Sequence, residues 1–121
     1  MAADTRLLAG ALAAGRIAIG AGLWLAPQRA AKALGFDRLD TRALMLGRIA
    51  GTRDIVIGTW QLSALDDPPA LRRASAAAAI ADAGDALTFA LGLAGGERRA
   101  GLRGVAAALP ASIAGAWLAT H

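Results

Sequence analysis

At 121 residues the chain has room for one domain, and its 56% hydrophobic content and mean hydropathy of +0.48 are high for a water-soluble domain of that size. It has no Cys and one His, at the last position, which excludes a disulfide framework, a thiolate metal site and a His-cluster metal site. The net charge of +4 raises nucleic-acid binding as a class, but the basic residues form no stripe interleaved with aromatics, so no nucleic-acid partner is expected.

Most Arg and Lys lie between apolar segments, as in the cytoplasmic loops of membrane proteins. The apolar runs are mostly Ala and Leu, with much of the chain's 15 Gly inside them. Such glycines weaken a soluble helix but let helices pack closely in a bilayer. The expected fold is all-α: an integral membrane four-helix bundle in a single domain, with spans near residues 7–26, 43–63, 74–94 and 102–120.

The first expected span, Leu7 to Ala26, is twenty residues long, about the 30 Å of a hydrocarbon core at 1.5 Å per residue. It is too long for a signal-peptide core and is interrupted by Arg16, so it reads as retained. Ala9, Ala13, Arg16 and Gly20 share one face, which directs Arg16 towards other helices. Pro27 to Asp40 alternates basic and apolar residues as a short helix in the headgroup layer would. Asp40 or Thr41 can cap the next helix.

The second expected span lies within Thr41 to Ser63, an apolar stretch with Arg48, Arg53 and Asp54 in its interior. At helical spacing Gly47, Gly51, Asp54 and Gly58 form one stripe, a closely approachable surface with a carboxylate set into it. Each central charge costs about 2.5 to 3.5 kcal/mol on insertion scales, so this span carries on the order of 8 kcal/mol that only partners offset. Asp66-Asp67-Pro68-Pro69 then starts the third helix. Its apolar part, Ala74 to Ala94, holds Asp82 and Asp85 on one face with Ala78 and Phe89. After Gly95-Gly96 the fourth helix carries a small-residue face of Gly104, Ala108, Ala111 and Gly115, and Pro110 is expected to kink it. Trp24, Trp60 and Trp117 lie near span ends, as belt residues do.

The midpoints of the first three spans fall near residues 16, 53 and 84, so Arg16, Arg53, Asp54, Asp82 and Asp85 are expected in one layer. With Arg48, three arginines and three aspartates neutralise each other. Arg53 is expected to pair with the Asp82/Asp85 face rather than with Asp54, because neighbours on a helix point about 100° apart. Arg16 is then the partner for Asp54, and Asp54→Ala, by orphaning a buried arginine, is expected to harm folding more than Asp82→Ala or Asp85→Ala.

Three readings of the layer stand side by side. It is a structural lock that fixes helix register; or it is a site, since intramembrane ionisable residues line ligand or proton pathways and two nearby carboxylates can share a proton; or the chain is a soluble Ala-rich bundle and these charges face water. Arg48 can also snorkel to the interface.

The segments GRIAIGAGLWLAP, GRIAGTRDIVIGTW and ADAGDALTFALG make the chain resemble a family of small four-helix membrane proteins of unknown function found widely in actinobacteria. The resemblance covers nearly the whole chain, with Gly51, Arg53 and Asp54 and the Asp82 to Asp85 segment as its most specific parts. It implies the architecture and no activity.

No Gly-rich phosphate loop, nucleophile elbow or zinc-binding helix pair occurs. As an enzyme the chain would carry out acid/base chemistry, such as isomerisation or cyclisation, on an apolar small molecule or lipid admitted from the bilayer. Asp82 or Asp85 would be the acid and a partner carboxylate held by Arg53 the base, with Asp54 the third catalytic candidate and Arg53, Arg16 and Arg48 binding ligand or stabilising charge. No cofactor or metal is expected. The alternative is an accessory subunit, in a homo-oligomer or larger membrane complex, with the layer as a lock. A pocket at Asp82/Asp85 favours chemistry, and a dry layer of matched pairs favours the lock.

Outside the cores, Arg29, Lys32, Arg38, Arg42, Arg98, Arg99 and Arg103 flank one side and Arg6, Arg72 and Arg73 the other. The expected protein is multi-pass in the cell (inner) membrane, with loops 1 and 3 cytoplasmic and both termini outside.

Overall fold

The computed structural model describes residues 2–121. Five helices follow one another: α1 Ala3–Leu25, α2 Pro27–Ala33, α3 Thr41–Ser63, α4 Pro68–Ala94 and α5 Arg98–Thr120. Among the described residues there is no strand.

Local chemistry sets the boundaries. Asp40 caps α3 by accepting a hydrogen bond from the Ala43 amide at 2.8 Å, and Asp67 caps α4 through the Ala70 amide at 3.2 Å. Pro68 opens α4 in the first turn, where an amide would lack a helical partner anyway. Gly35 and Gly96 reverse the chain with φ of 96° and 103°, the left-handed region that favours glycine. The helices α1, α4 and α5 start before the expected apolar spans because helix continues through polar ends that hydropathy does not count. Pro110 lies inside α5, which runs on without interruption.

Three helices, α1, α4 and α5, are long and apolar enough to cross a membrane. The 23-residue α3 has the length, but Arg42, Arg48, Arg53 and Asp54 take away the apolarity.

The long helices pack as two hairpins, α1 with α3 and α4 with α5, which meet more loosely. Glycine makes the first hairpin tight: a Cβ on Gly20 would lie 2.5 Å from the Gly51 carbonyl oxygen, and one on Gly51 2.7 Å from that of Gly20. Gly58 packs in the same way on Ala13 and Ile17. In the second hairpin Gly104 lies against the Phe89 ring, Gly101 against Leu93 and Gly115 against Ala79.

The distribution of side chains is the reverse of that in a soluble bundle. The interior is built from Ala9, Ala13, Ala74, Ala78 and Ala108 with a few leucines, and it holds Asp54, Asp82, Gln61 and Ser75. Large apolar residues such as Leu25, Ile80, Leu46 and Leu91 face outward, mostly exposed. Water would not tolerate so extensive an apolar exterior, whereas a lipid bilayer is compatible with it.

Between α1 and α3, the Gln28 side chain clamps the Leu39 backbone with two hydrogen bonds of 2.8 and 3.1 Å. Gly35 rests on the backbone of Arg99 and Ala100, and Arg103 donates to the Ala33 carbonyl at 3.3 Å. This connector and the α4–α5 turn therefore share one end of the molecule. Arg6 pairs with Asp66 at 2.5 Å at the other end.

Candidate functional site

Five charged side chains meet between the hairpins: Arg16 on α1, Arg53 and Asp54 on α3, Asp82 and Asp85 on α4. Each lies near the middle of its helix, and the small residues around them let the helices approach closely enough for the side chains to reach. Arg53 grips both oxygens of Asp85, at 2.8 and 2.7 Å, in the fork geometry that makes arginine–carboxylate pairs strong. Its Nη2 also reaches Oδ1 of Asp54 at 3.2 Å. Arg16 donates to that same Oδ1 at 3.3 Å through Nη1 and to Oδ2 of Asp82 through Nη2.

The result is an alternating chain, Asp85–Arg53–Asp54–Arg16–Asp82, which begins and ends on a carboxylate. Exposure falls along it. The Arg53 and Asp85 side chains are 35% and 29% exposed, whereas those of Arg16, Asp54 and Asp82 are about nine-tenths buried. Arg16, Asp54 and Asp82 therefore do not lie on an outer surface, while Arg53 and Asp85 are partly exposed.

Several expectations change. Arg48 does not join the layer. It lies six residues before Asp54, on another face of α3 and about 9 Å along the axis, and its guanidinium sits 5.6 Å above the Trp24 ring. The contacting set is thus two arginines and three aspartates, not three and three. Arg53 does touch its neighbour Asp54, because its long side chain swings back across the 100° between them. Asp82 and Asp85 do not pair with each other; each turns to a guanidinium from a different helix. Asp54 is the middle link, and without it Arg53 keeps Asp85 and Arg16 keeps Asp82, so Asp54→Ala orphans no arginine.

Sequence reasoning missed Gln61 and Ser75. Gln61 continues the stripe of Gly51, Asp54 and Gly58 by one further turn and is 1% exposed; its Nε2 meets the fully buried Ser75 hydroxyl at 3.4 Å, and its Oε1 has no partner among the described residues. The spacing of seven residues from Asp54 was the available signal.

Two cavities lie away from the layer. One, of about 160 Å³, is lined by Thr5, Pro68, Leu71, Arg72, Leu118 and His121, where the start of α1 meets the start of α4 and the end of α5. The other is an open apolar groove along Leu8, Leu109, Pro110, Ile113 and Trp117. Among the described residues no group of three or more His, Cys, Asp or Glu is arranged to hold a metal ion. Chemically, the layer can fix the positions of the helices relative to one another. No protein-family model, curated protein or solved structure matches this chain.

Proposed function

We propose that the chain is a four-span protein of the cell (inner) membrane in which the charge chain locks the α1/α3 hairpin to the α4/α5 hairpin, and that it serves as a non-enzymatic subunit of a larger membrane complex. In this reading α3 is the fourth span, α2 lies in the headgroup layer, and the kinship to the actinobacterial four-helix family concerns architecture. One observation carries the lock: every carboxylate of the layer accepts from a guanidinium on another helix. Neither of the two cavities is lined by any residue of the layer, which supports the lock over acid/base chemistry on an apolar substrate at Asp82 and Asp85. Buried pairs of this kind specify which helices meet and in what register, without needing to add net stability.

Charge exchange tests it. Arg53→Asp with Asp85→Arg, and Arg16→Asp with Asp82→Arg, each recover more folded protein in detergent than their single variants. Exchange of Arg53 with Asp82 does not. Equal recovery for all three exchanges sinks the pairing and the lock. Purification from native membranes then tests the subunit role, with a protein partner expected and an empty protein counting against it.

A further inference from the structure

The charge chain is not covered evenly. Its outer end, the Arg53–Asp85 pair, bridges α3 and α4 at the seam between the hairpins, and the two side chains are 35% and 29% exposed there. Both lie near the middle of their helices, which in the four-span reading is the middle of the bilayer. An ion pair left against acyl chains at that depth is costly, so spans turn such groups towards other helices or towards water. Neither of the two cavities reaches the pair.

The pair is neutral but two-ended, with a guanidinium on α3 and a carboxylate on α4 side by side at one level. Two copies inserted in the same orientation can be related by a two-fold axis only along the bilayer normal. Such an axis turns the seam to face itself, with α3 opposite α4 of the second copy, so that Arg53 of each stands before Asp85 of the other. The face is thus complementary to itself in charge. Donors and acceptors remain for the contact: within one copy Arg53 Nη1 uses one of its two N–H groups, and each Asp85 oxygen accepts one hydrogen bond of the two it can take. Size matches as well. Ile49 and Val56 stand out on α3, 66% and 60% exposed, while on α4 Gly84 and Thr88 are exposed, and a Cβ added at Gly84 would meet no other helix within 4 Å among the described residues.

We propose that the chain forms a two-fold homodimer through α3 and α4, in which the Arg53–Asp85 pairs of the two copies close into one network shielded from lipid. Each pair keeps its bonds within its own copy, so the lock between hairpins is unchanged and gains a second layer of contacts. The inference rests on the four-span reading, because only inside the bilayer does the exposed pair need cover.

The protein has no Cys, so introduced cysteines report proximity without other changes. Two full-length copies with different tags are expressed together, one carrying Ile49→Cys and the other Thr88→Cys. These positions are four and three residues from Arg53 and Asp85 towards the connector end, and therefore nearly level. Mild oxidation in membranes is expected to join the two tags in one disulfide. Ile113→Cys, about as exposed as Ile49 but on the opposite seam between α1 and α5, is expected to stay monomeric. Gly84→Leu is expected to abolish the mixed disulfide with helix content unchanged, and to give the mass of one chain where the wild type gives that of two by light scattering in mild detergent. Equal cross-linking at Ile113→Cys overturns the proposal, as does a disulfide that survives Gly84→Leu, or a wild-type mass of one chain together with no mixed disulfide. A cross-link from Ile49→Cys to a different protein alone also overturns it, in favour of a foreign subunit. A monomer that resists extraction by alkaline carbonate strikes the second copy only, whereas release by carbonate strikes the four-span reading and the dimer with it.

Discussion

Arg16 is the residue on which the layer depends most. It is the one guanidinium that holds Asp82 and one of two that hold Asp54, and its own Nε is buried without a partner among the described residues, so it is held through Nη1 and Nη2. Arg16→Gln leaves Asp82 with no cation at all and is expected to lower stability by about 3 to 5 kcal/mol, the cost of orphaning a buried charge. Asp54→Asn and Asp82→Asn should cost far less, since each leaves two arginines facing two carboxylates. Unfolding of the three variants in detergent checks the order, and a milder loss for Arg16→Gln than for either Asn variant would refute it. At Arg53, replacement by Lys keeps the charge and loses the two-pronged grip on Asp85, so a partial loss is expected there.

Among the helices, glycines divide by what faces them. Gly20 and Gly51 point at each other's carbonyl oxygens, so Gly20→Ala or Gly51→Ala must push α1 and α3 apart and weaken every contact of that hairpin. At Gly15 and Gly84, by contrast, an added methyl group would meet no other helix within 4 Å among the described residues. There alanine is expected to be harmless or to stabilise by about 0.5 to 1 kcal/mol through helix propensity. Four single variants compared by thermal unfolding decide the matter; similar losses at all four positions would show that glycine acts here through something other than helix contact. The helix α3 gives a second test. Its charges are satisfied by α1 and α4, so as an isolated segment it should fail to insert in a membrane-integration assay and should insert in the full chain. Efficient insertion alone would remove the need for the layer.

Across the bundle from end to end the charges fall into three zones. The end with the connector and the α4–α5 turn has seven basic residues against Asp37, Asp40 and Glu97, which leaves +4, the entire net charge of the protein. The opposite end sets Arg6, Arg72 and Arg73 against Asp4, Asp66 and Asp67 and is neutral. In the proposed topology the basic end faces the cytoplasm and both termini lie outside. A reporter that works only in the cytoplasm, fused after His121, is therefore expected to be silent, and activity would reverse the orientation. With so many leucines and isoleucines facing outward, extraction is expected to require detergent and to resist alkaline carbonate.

The helices, and much of what they turn inward, were legible in the order of the amino acids. Apolar runs, Asp and Pro before α4, Gly after it, and the spacing of Ala9, Ala13 and Gly20 or of Gly104, Ala108 and Gly115 are local signals, and local signals fix where a helix runs and which face is small. That Arg16, Arg53, Asp54, Asp82 and Asp85 share a level was also readable, because depth along a helix follows residue number at a constant rise. Which charge meets which was settled by the packing of the helices in three dimensions. An arginine side chain spans several ångströms and bends, so residue number could not foretell that Arg53 reaches both Asp85 and Asp54, that Arg16 bridges two carboxylates, or that Arg48 turns away to Trp24. The hydrogen bonding of the layer depends on that last choice, because an arginine donates only to the carboxylates within its reach.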